Sequence, residues 1–240
     1  MKGQTWWLIG ASEGLGRALA QAMADRGVRL ILSARQADKL ADLAATLPDA
    51  RALAMDVTDA ESVRMAAEQA GEVDGVIYLS GAYWPMRAQD WDTDRVLSML
   101  DVNLNGAVRV MGAVLPGMVA RGRGRVLLTG SLSAYRGLPG AIGYGASKAG
   151  LMNLAESMQC DLQGTGVQVQ LANPGFIRTR LTDLNSFDMP FLMEPEAAAA
   201  HMLRILDGRR GTTAFPMLFS WLFRAGRFLP DALWNRIFAR

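Results

Sequence analysis

The sequence predicts an α/β protein with a Rossmann-like, doubly wound and mainly parallel sheet of about seven strands, with helices on both faces. Two observations predict this fold. Short apolar runs alternate with helix-length amphipathic stretches, which is the pattern of consecutive βαβ units. The first apolar run also leads directly into a glycine-rich turn and then a helix. Because no linker or repeat interrupts the alternation, residues 1–240 are expected to form a single domain.

Each predicted strand is a short apolar run, and most are followed by a stretch with helical periodicity. The strands are predicted at residues 5–9, 28–32, 52–55, 76–79, 125–128 and 167–171. The helices are predicted at residues 15–26, 36–46, 60–70, 94–121 and 144–163. Because parallel neighbours need a crossover between them, this order predicts a parallel sheet.

Composition indicates a globular protein and excludes several classes of partner. Of the 240 residues, 50% are hydrophobic, which is enough for a large core. The net charge is only +2 and the basic residues are scattered, so nucleic acid is not an expected partner. No run of about 18 apolar residues occurs, so a membrane-spanning helix is not expected.

The cysteine and histidine content bears on compartment and metal binding. The single cysteine, Cys160, excludes an internal disulfide and fits a reducing compartment, so a cytoplasmic location is expected. The N-terminus leads straight into the first strand without a cleavable apolar region. Cys160 is expected to be a buried small hydrophobe. The single histidine, His201, cannot form a histidine-cluster site, so no metal is expected.

The first predicted strand ends in the sequence Gly-Ala-Ser-Glu-Gly-Leu-Gly at residues 10–16. Glycines there allow a tight turn and the close approach of a phosphate group to the backbone. The helix that follows offers unpaired N–H groups and the positive end of its dipole. The expected pyrophosphate site of a dinucleotide comprises Gly10, Ser12, Glu13, Gly14, Leu15 and Gly16.

Tyr144 and Lys148 are four positions apart in a predicted helix, so their side chains share one helix face. A tyrosine pKa of about 10 needs roughly 4 kcal/mol to reach 7, and a cation about 4 Å away supplies a similar amount. Lys148 is therefore expected to make Tyr144 acidic enough for proton transfer near neutral pH. Ser131, at the end of the preceding strand, is placed to hydrogen-bond a carbonyl or alcohol oxygen. Alternatively, the Tyr-x-x-x-Lys spacing is accidental and Ser131 only begins a turn.

The glycine spacing and the Tyr-x-x-x-Lys pair together resemble the short-chain dehydrogenase/reductase family. The landmarks of that family recur in order over residues 5 to about 180. They are Gly10, Gly14 and Gly16; Asp56 and Val57; Asn103; Ser131; Tyr144 and Lys148; and Asn173-Pro174-Gly175 with Thr179. Agreement in order and spacing at so many places is specific to the family.

The resemblance implies roles in hydride transfer with a nicotinamide cofactor. Tyr144 is the expected acid/base, Lys148 lowers its pKa and holds the nicotinamide ribose, and Ser131 orients the substrate oxygen. Asn103 is the expected fourth member, whose helix distortion anchors a water that feeds protons to Lys148. The alternative for Asn103 is a helix asparagine that bonds its own backbone. The other implied cofactor contacts are Asp56 and Val57 at the adenine, Gly81 at the ribose, and Pro174, Gly175, Ile177 and Thr179 around the nicotinamide and phosphates.

Arg35, at the end of the second predicted strand, favours NADP(H) over NAD(H). An NAD site usually has a carboxylate about 20 residues after the glycine turn, but this chain has Ser-Ala-Arg at residues 33–35. A guanidinium can pair with a 2′-phosphate and lie against adenine. Glu13 counts against this preference, because some NADP enzymes of the family carry a basic residue there. The alternative is that Arg35 is a solvated loop cation.

Residues 180–193 are the expected substrate lid, and their large apolar side chains predict a mainly apolar pocket.

One segment departs from the family, which usually has Asn-Asn-Ala-Gly where this chain has Tyr-Leu-Ser-Gly at residues 78–81. The absent asparagine mostly stabilises a strand, so we expect an effect on local stability.

The tail, residues 215–240, is aromatic and basic and lies outside the region that resembles the family. It is expected to pack on its own domain or a second subunit; alternatively it walls the pocket or contacts a membrane surface.

The sequence therefore predicts an NADP(H)-dependent oxidoreductase that transfers a hydride between the nicotinamide and a small or medium, mainly apolar ketone or secondary alcohol. Similarity to the family suggests a homodimer or homotetramer built through helices 94–121 and 144–163, and a membrane is not an expected partner. Two alternatives come from other classes: a cofactor-binding protein without turnover, acting as a redox sensor or assembly subunit, and a membrane-associated reductase of lipid-like substrates. A protein that only binds the cofactor does not need a tyrosine held beside a lysine. The Tyr144–Lys148 pair therefore favours the enzyme over the binding protein without turnover.

Overall fold

Strands with apolar side chains on both faces form the centre of the computed structural model, which describes residues 1–185 and 187–238. The seven strands form one sheet in the order β3-β2-β1-β4-β5-β6-β7. All neighbouring strands are parallel, which confirms the α/β fold class. The strands are β1 (Thr5–Ile9), β2 (Arg29–Ser33), β3 (Ala50–Ala52), β4 (Gly75–Tyr78), β5 (Gly124–Thr129), β6 (Val167–Pro174) and β7 (Thr212–Phe215).

Helices cover both faces of the sheet, because successive residues of each strand point to opposite sides. The helices are α1 (Gly14–Ala24), α2 (Ala37–Ala45), α3 (Ala60–Ala70), α4 (Thr93–Leu100), α5 (Gly106–Ala120), α6 (Ile142–Asp161), α7 (Pro195–Asp207), α8 (Met217–Gly226) and α9 (Asp231–Phe238). On one face of the sheet, Trp6 of β1 belongs to a core that includes residues of α1, α2 and α7. On the other face, Trp7 belongs to a core that includes residues of α3, α5 and α6.

The strand order reverses between β1 and β4. From β1 the chain extends outward to β3, and it then returns to β4 and continues to β7 on the other side. Helices leave the two central strands in opposite directions, so a crevice opens at their carboxyl ends. The glycine-rich turn follows β1 directly and therefore lies at this crevice.

The predicted helix 94–121 is interrupted by a π-helical segment, Asp101–Asn105, between α4 and α5. The hydroxyl of Tyr78 donates to the carbonyl oxygen of Val102 in this segment, at 2.6 Å. Tyr78 is fully buried, and burial raises the pKa of its phenol, so the hydroxyl remains a donor. Tyr78 thus braces the end of β4, where the family's asparagine is absent.

Gly106 makes room for this tyrosine. A Cβ atom at Gly106 would lie 2.3 Å from the Tyr78 hydroxyl oxygen, which is closer than any side chain can tolerate.

The residues from Thr93 to Ala120 pass length and hydropathy criteria for a membrane-crossing helix. In this fold, however, they flank the sheet, and they carry the ion pair between Arg109 and Asp101.

Two strands and one cysteine differ from the sequence prediction. Strand β3 lies at Ala50–Ala52 rather than 52–55; the chain nevertheless continues beside β2 through the hydrogen bond from the Met55 N–H to the Ala34 carbonyl. Strand β7, Thr212–Phe215, was not among the predicted runs because it is a short, half-buried edge strand with two threonines. The expectation that Cys160 is buried was wrong, because it lies on the solvent side of the last turn of α6.

The tail forms α8 and α9, which pack on the chain's own domain. Phe219, Phe223 and Trp234 form an apolar cluster with Leu132, against which Phe176 also packs. The tail therefore packs against Leu132, in the loop that carries Ser131. Ala239 and Arg240, at the end of the predicted tail, lie outside the described residues.

One arginine connects this loop with the tail. The guanidinium of Arg136 donates to the carbonyl oxygens of Gly226 and Leu229 and lies 4.9 Å from the centroid of the Trp234 ring. It also pairs with Asp231 at 2.6 Å. The contact thus combines hydrogen bonds to two chain segments with a cation–π contact.

Candidate active site

A cleft of about 520 Å³ opens at the carboxyl ends of the central strands. Every residue that the sequence analysis assigned to cofactor binding lines this cleft. They are Gly10, Ser12, Glu13, Gly14, Leu15, Gly16, Arg35, Asp56, Val57, Gly81, Tyr144, Lys148, Pro174, Gly175, Ile177 and Thr179. The cleft thus brings together the predicted cofactor-binding residues, whereas Ser131 and Asn103 are not among the residues that line it.

The glycine turn forms a narrow cradle at the start of α1. Gly10 and Gly14 have φ angles of +94° and +52°, a region that favours glycine. A Cβ atom at Gly10 would lie 2.6 Å from the backbone nitrogen of Ser80, and one at Gly14 would lie 2.9 Å from the Thr179 methyl group. Because no side chain caps the N-terminus of α1, its first N–H groups are free to bind an anion.

Two cations that the sequence analysis did not select lie beside this cradle. Lys39 of α2 forms an ion pair with Glu13, and the Arg180 side chain lies 3.6 Å from the same carboxylate. The hydrogen bond from Lys39, together with the charge of Arg180, lowers the pKa of Glu13. No local sequence pattern marks these contacts, because Glu13, Lys39 and Arg180 come from three distant segments of the chain.

Asp56 follows β3 and lines the cleft. Its carboxylate accepts hydrogen bonds from the Thr58 N–H at 2.9 Å and the Thr58 hydroxyl at 2.8 Å. Burial by itself would raise the pKa of Asp56, but these hydrogen bonds and the charges of Arg35 and Arg109 lower it overall. Asp56 is therefore an ionised acceptor at neutral pH.

Lys148 lies one helical turn after Tyr144 in α6 and is almost fully buried. Its Nζ atom is 5.7 Å from the centroid of the Tyr144 ring and donates to the Thr129 carbonyl oxygen at 2.8 Å. Burial lowers the pKa of Lys148 to about 8. The ammonium group is thus still mostly charged at neutral pH.

In this structure the pKa of Tyr144 lies above its ordinary value, opposite to the direction that the sequence analysis expected. Burial raises the pKa of Tyr144 to about 12; the nearby Ser131 hydroxyl offsets part of this rise, and Tyr83 adds to it. The Tyr83 ring meets the Tyr144 ring edge-on, with centroids 5.0 Å apart. The expected effect of Lys148 left out the cost of burying a phenolate, and burial is the largest influence on the pKa of Tyr144. Tyr144 is therefore a neutral phenol at pH 7.

Ser131 begins a short 3₁₀ turn next to the cleft. Its hydroxyl oxygen accepts hydrogen bonds from the Ser133 N–H at 3.2 Å and the Ser133 hydroxyl at 3.0 Å. Its own N–H donates to the Asn173 side chain at 3.1 Å. The hydroxyl hydrogen of Ser131 is therefore left to donate to another oxygen. Sequence reasoning did not select Ser133, and it treated Asn173 only as a landmark.

Asn103 is fully buried in the π-helical segment. Its side chain accepts from the Ala82 N–H at 2.7 Å and donates to the Ala82 carbonyl at 3.0 Å and the Ser147 hydroxyl at 2.9 Å. Ser147 in turn donates to the Tyr144 carbonyl at 2.8 Å. The Asn103 side chain does not bond its own helix; it connects the loop after β4 with Ser147 in the second turn of α6.

Only part of the expected lid faces the cleft. Leu181 lines the cleft, as does Trp84 from the loop after β4. Phe187 and Phe191 are 54% and 52% exposed, so their rings contribute little to a pocket in this conformation. Ser186, within the predicted lid, lies outside the described residues.

Metal-ligating side chains do not cluster in the described part of the chain, where no group of three or more His, Cys, Asp or Glu residues lies together. His201 instead stacks on Phe215, with ring centroids 4.7 Å apart.

Comparison with known proteins matches residues 4–188 to the family described as short chain dehydrogenase. An uncharacterized oxidoreductase from Myxococcus xanthus is 37% identical over 246 residues, covering 98% of this chain and 96% of its own. A sulfoacetaldehyde reductase 2 from Chromohalobacter salexigens is 36% identical over 184 residues, covering 73% of each chain. The crystal structure of a short-chain dehydrogenase from Streptomyces avermitilis superposes with a TM-score of 0.84 at 26% identity, over 98% of this chain and 95% of that one.

Proposed function

This chain belongs to the short-chain dehydrogenase/reductase family, and from that premise we propose that it transfers a hydride between NADP(H) and a ketone or secondary alcohol. Family membership makes it an NAD(P)-dependent oxidoreductase acting on CH–OH and C=O groups. The observation that carries the proposal is a neutral, buried Tyr144 one helical turn from a buried lysine, in a cleft that begins at an anion cradle.

The residues of the cleft fit a dinucleotide. In our proposal the glycine cradle and the N-terminus of α1 hold the pyrophosphate, Asp56 accepts from the adenine, and Lys148 holds the nicotinamide ribose. The buried Thr129 hydroxyl oxygen, which lacks a partner among the described residues, adds a polar group to the wall beside Lys148. When bound, the nicotinamide supplies or accepts the hydride.

Tyr144 is the proposed catalytic residue, and its pKa favours work as an acid. A neutral phenol can donate its proton to a carbonyl oxygen that is gaining negative charge. This transfer is favourable, because the phenolate that forms is a much weaker base than the alkoxide that would form without it. The Ser131 hydroxyl, whose lone pairs are engaged by Ser133, donates to the same substrate oxygen. Lys148 stabilises the phenolate through its charge. Asn103 and Asn173 act as positioning residues through Ser147 and Ser131.

The preference for NADP(H) rests on the cations at the end of β2. Arg35 lines the cleft, and Lys39, one helical turn further along, lies close enough to pair with Glu13 at the same edge. Glu13 therefore does not present an uncompensated negative charge to a 2′-phosphate, although this position still lacks the basic residue that some NADP enzymes of the family carry. A 2′-phosphate would pair with the Arg35 guanidinium.

The cofactor proposal is tested by measuring kcat/KM with NADPH and with NADH for wild type and Arg35→Glu. We expect wild type to prefer NADPH, and Arg35→Glu to lower the NADPH/NADH ratio by about 100-fold or more, since it replaces a favourable charge pair with a repulsive one. Arg17→Glu, an exposed arginine of α1, is the matched control and should leave the ratio near that of wild type. A wild-type preference for NADH would contradict the proposal.

For the substrate we propose a mainly apolar ketone or secondary alcohol, because Trp84 and Leu181 line the cleft and Tyr83 packs against Tyr144. The relative named sulfoacetaldehyde reductase makes an anionic aldehyde a useful comparison. A panel of apolar ketones, secondary alcohols and sulfoacetaldehyde should give the highest kcat/KM with an apolar member. A clear preference for the sulfonate would contradict this part of the proposal.

We also propose that the chain acts in the cytoplasm as one domain within a homodimer or homotetramer. Support for assembly comes from exposed apolar side chains on α4 and α5, namely Leu97, Val108 and Val119. Light scattering after size-exclusion chromatography should report a dimer or larger for wild type and a smaller mass for Val108→Glu.

A further inference from the structure

Helix α8 is apolar on nearly every side. Its inner residues Phe219 and Phe223 are buried against the rest of the domain, and its Ser220 hydroxyl bonds the Met217 carbonyl within the helix. Its outer residues are also large and apolar. A helix that is apolar all round is normally covered on all sides, so the outer side of α8 lacks a covering partner in the described structure.

The outer face of the tail extends from α8 to α9. It comprises Met217, Leu218, Trp221, Leu222, Phe228, Leu233 and Ile237, all of which are exposed. Trp221 is 58% exposed and Phe228 is 87% exposed, although aromatic side chains of this size normally bury much more of their surface. Exposed apolar side chains are thus concentrated on these two short helices.

The charges around this outer face are mostly positive. Arg224, Arg227 and Arg236 are exposed beside it, and the Arg224 guanidinium lies 5.5 Å from the centroid of the Trp221 ring. Asp231 is engaged by Arg136 at 2.6 Å. A two-fold contact between two copies of this face would bring the arginines toward one another, which disfavours a second copy as the occupant.

We propose that the outer face of α8 and α9 binds the surface of an anionic lipid bilayer, with both helices lying in the plane of the interface. Large apolar side chains would enter the boundary between headgroups and acyl chains, and the arginines would meet the anionic headgroups. Tryptophan and arginine side by side suit this boundary, because each has an apolar body and a polar end. This is a contact at the membrane surface and uses no spanning helix.

Flotation of the full chain with lipid vesicles tests the proposal. We expect wild type to float with vesicles of equal parts phosphatidylcholine and phosphatidylglycerol, less so at high salt, and not with phosphatidylcholine alone. Trp221→Glu should abolish flotation, whereas Trp91→Glu, at a residue 55% exposed on the loop before α4, should leave it unchanged. The pair Arg224→Gln and Arg227→Gln should weaken binding by about tenfold or more.

Circular dichroism of each variant checks that the fold is kept. Failure of wild type to float with the anionic vesicles, equal flotation with neutral vesicles, or equal flotation of Trp221→Glu would each overturn the proposal. If wild type does not float and Trp221→Glu lowers the assembly mass, the face belongs to a second copy, and the proposal also fails. Because flotation does not depend on turnover, its outcome is separate from that of the oxidoreductase proposal.

Discussion

Lys148 is 4% exposed and directs its ammonium group at the carbonyl oxygen of Thr129, at 2.8 Å. Burial of a charged amine is unfavourable, and it lowers the pKa of this lysine from 10.5 to about 8. The protein keeps this charge buried beside Tyr144 at a cost in stability, as active sites commonly do.

This cost predicts a pH-dependent stability. Below about pH 8 both the folded and the unfolded protein carry a charged Lys148; between about pH 8 and 10 the unfolded chain binds the additional proton, so stability rises with pH. Relative to Lys148→Met, the unfolding free energy of wild type should rise by up to about 1.4 kcal/mol per pH unit in this window. Urea unfolding at several pH values measures the difference, and a flat or falling difference would refute the assignment.

At the scale of single elements, the π-helical segment Asp101–Asn105 is held by residues from two other elements. Tyr78 at the end of β4 donates to the Val102 carbonyl, and Asn103 reaches the backbone of Ala82. The π geometry thus connects β4, the following loop and α6 near Tyr144. Such insertions are common at functional sites because they aim one residue without disturbing the rest of the helix.

Tyr78 and Gly106 are predicted to be energetically coupled. Gly106→Ala should cost about 2 kcal/mol of unfolding free energy, because its Cβ atom would lie 2.3 Å from the Tyr78 hydroxyl oxygen. Tyr78→Phe removes that oxygen at the cost of a buried hydrogen bond, and in this background the penalty of Gly106→Ala should fall by about 1 kcal/mol or more. A double-mutant cycle from urea unfolding measures the coupling.

Gly112→Ala is the matched control in the same helix, because nothing lies within 4 Å of the added Cβ atom. It should stabilise the protein by about 0.5 to 1 kcal/mol through helix propensity alone. If the penalties at Gly106 and Tyr78 are additive, the proposed steric fit between them is incorrect.

At the scale of the whole molecule, Arg136 fastens the tail to the loop beside Ser131. Arg136→Met keeps much of the contact with Trp234 but leaves the carbonyl oxygens of Gly226 and Leu229 without their donor, so we expect a loss of about 2 kcal/mol in unfolding free energy. Limited proteolysis should then cleave the tail sooner.

Arg64→Met provides the comparison for Arg136. Arg64 pairs with two glutamates on the exposed side of α3, and solvent screens pairs of this kind, so its loss should lower the unfolding free energy far less than Arg136→Met does. Equal effects of the two substitutions would show that Arg136 does not hold the tail.

The fold class could be predicted from the sequence because buried parallel strands and crossover helices produce periodic apolar patterns, as at Thr5–Ile9. The cleft could also be predicted, since Gly10, Tyr144 and Lys148 occur at the spacings typical of the family. Strand β7 has no such apolar pattern, because an edge strand needs few apolar residues.

Properties that depend on three-dimensional surroundings were harder to predict. Spacing placed Lys148 near Tyr144, but the pKa of the phenol depends on how much water the fold removes from it. The pairing of Glu13 with Lys39 and Arg180 joins three distant segments and has no local signal. The exposure of Cys160 likewise depends on where α6 ends.

The central claim is that the Tyr144 phenol donates the proton during carbonyl reduction. Its most direct test is the kcat of Tyr144→Phe with NADPH and the best carbonyl substrate from the panel. We predict a fall of about 10² to 10⁴ in kcat, with the affinity for NADPH and the unfolding midpoint close to those of wild type. A variant that retains kcat within about tenfold of wild type would contradict the account.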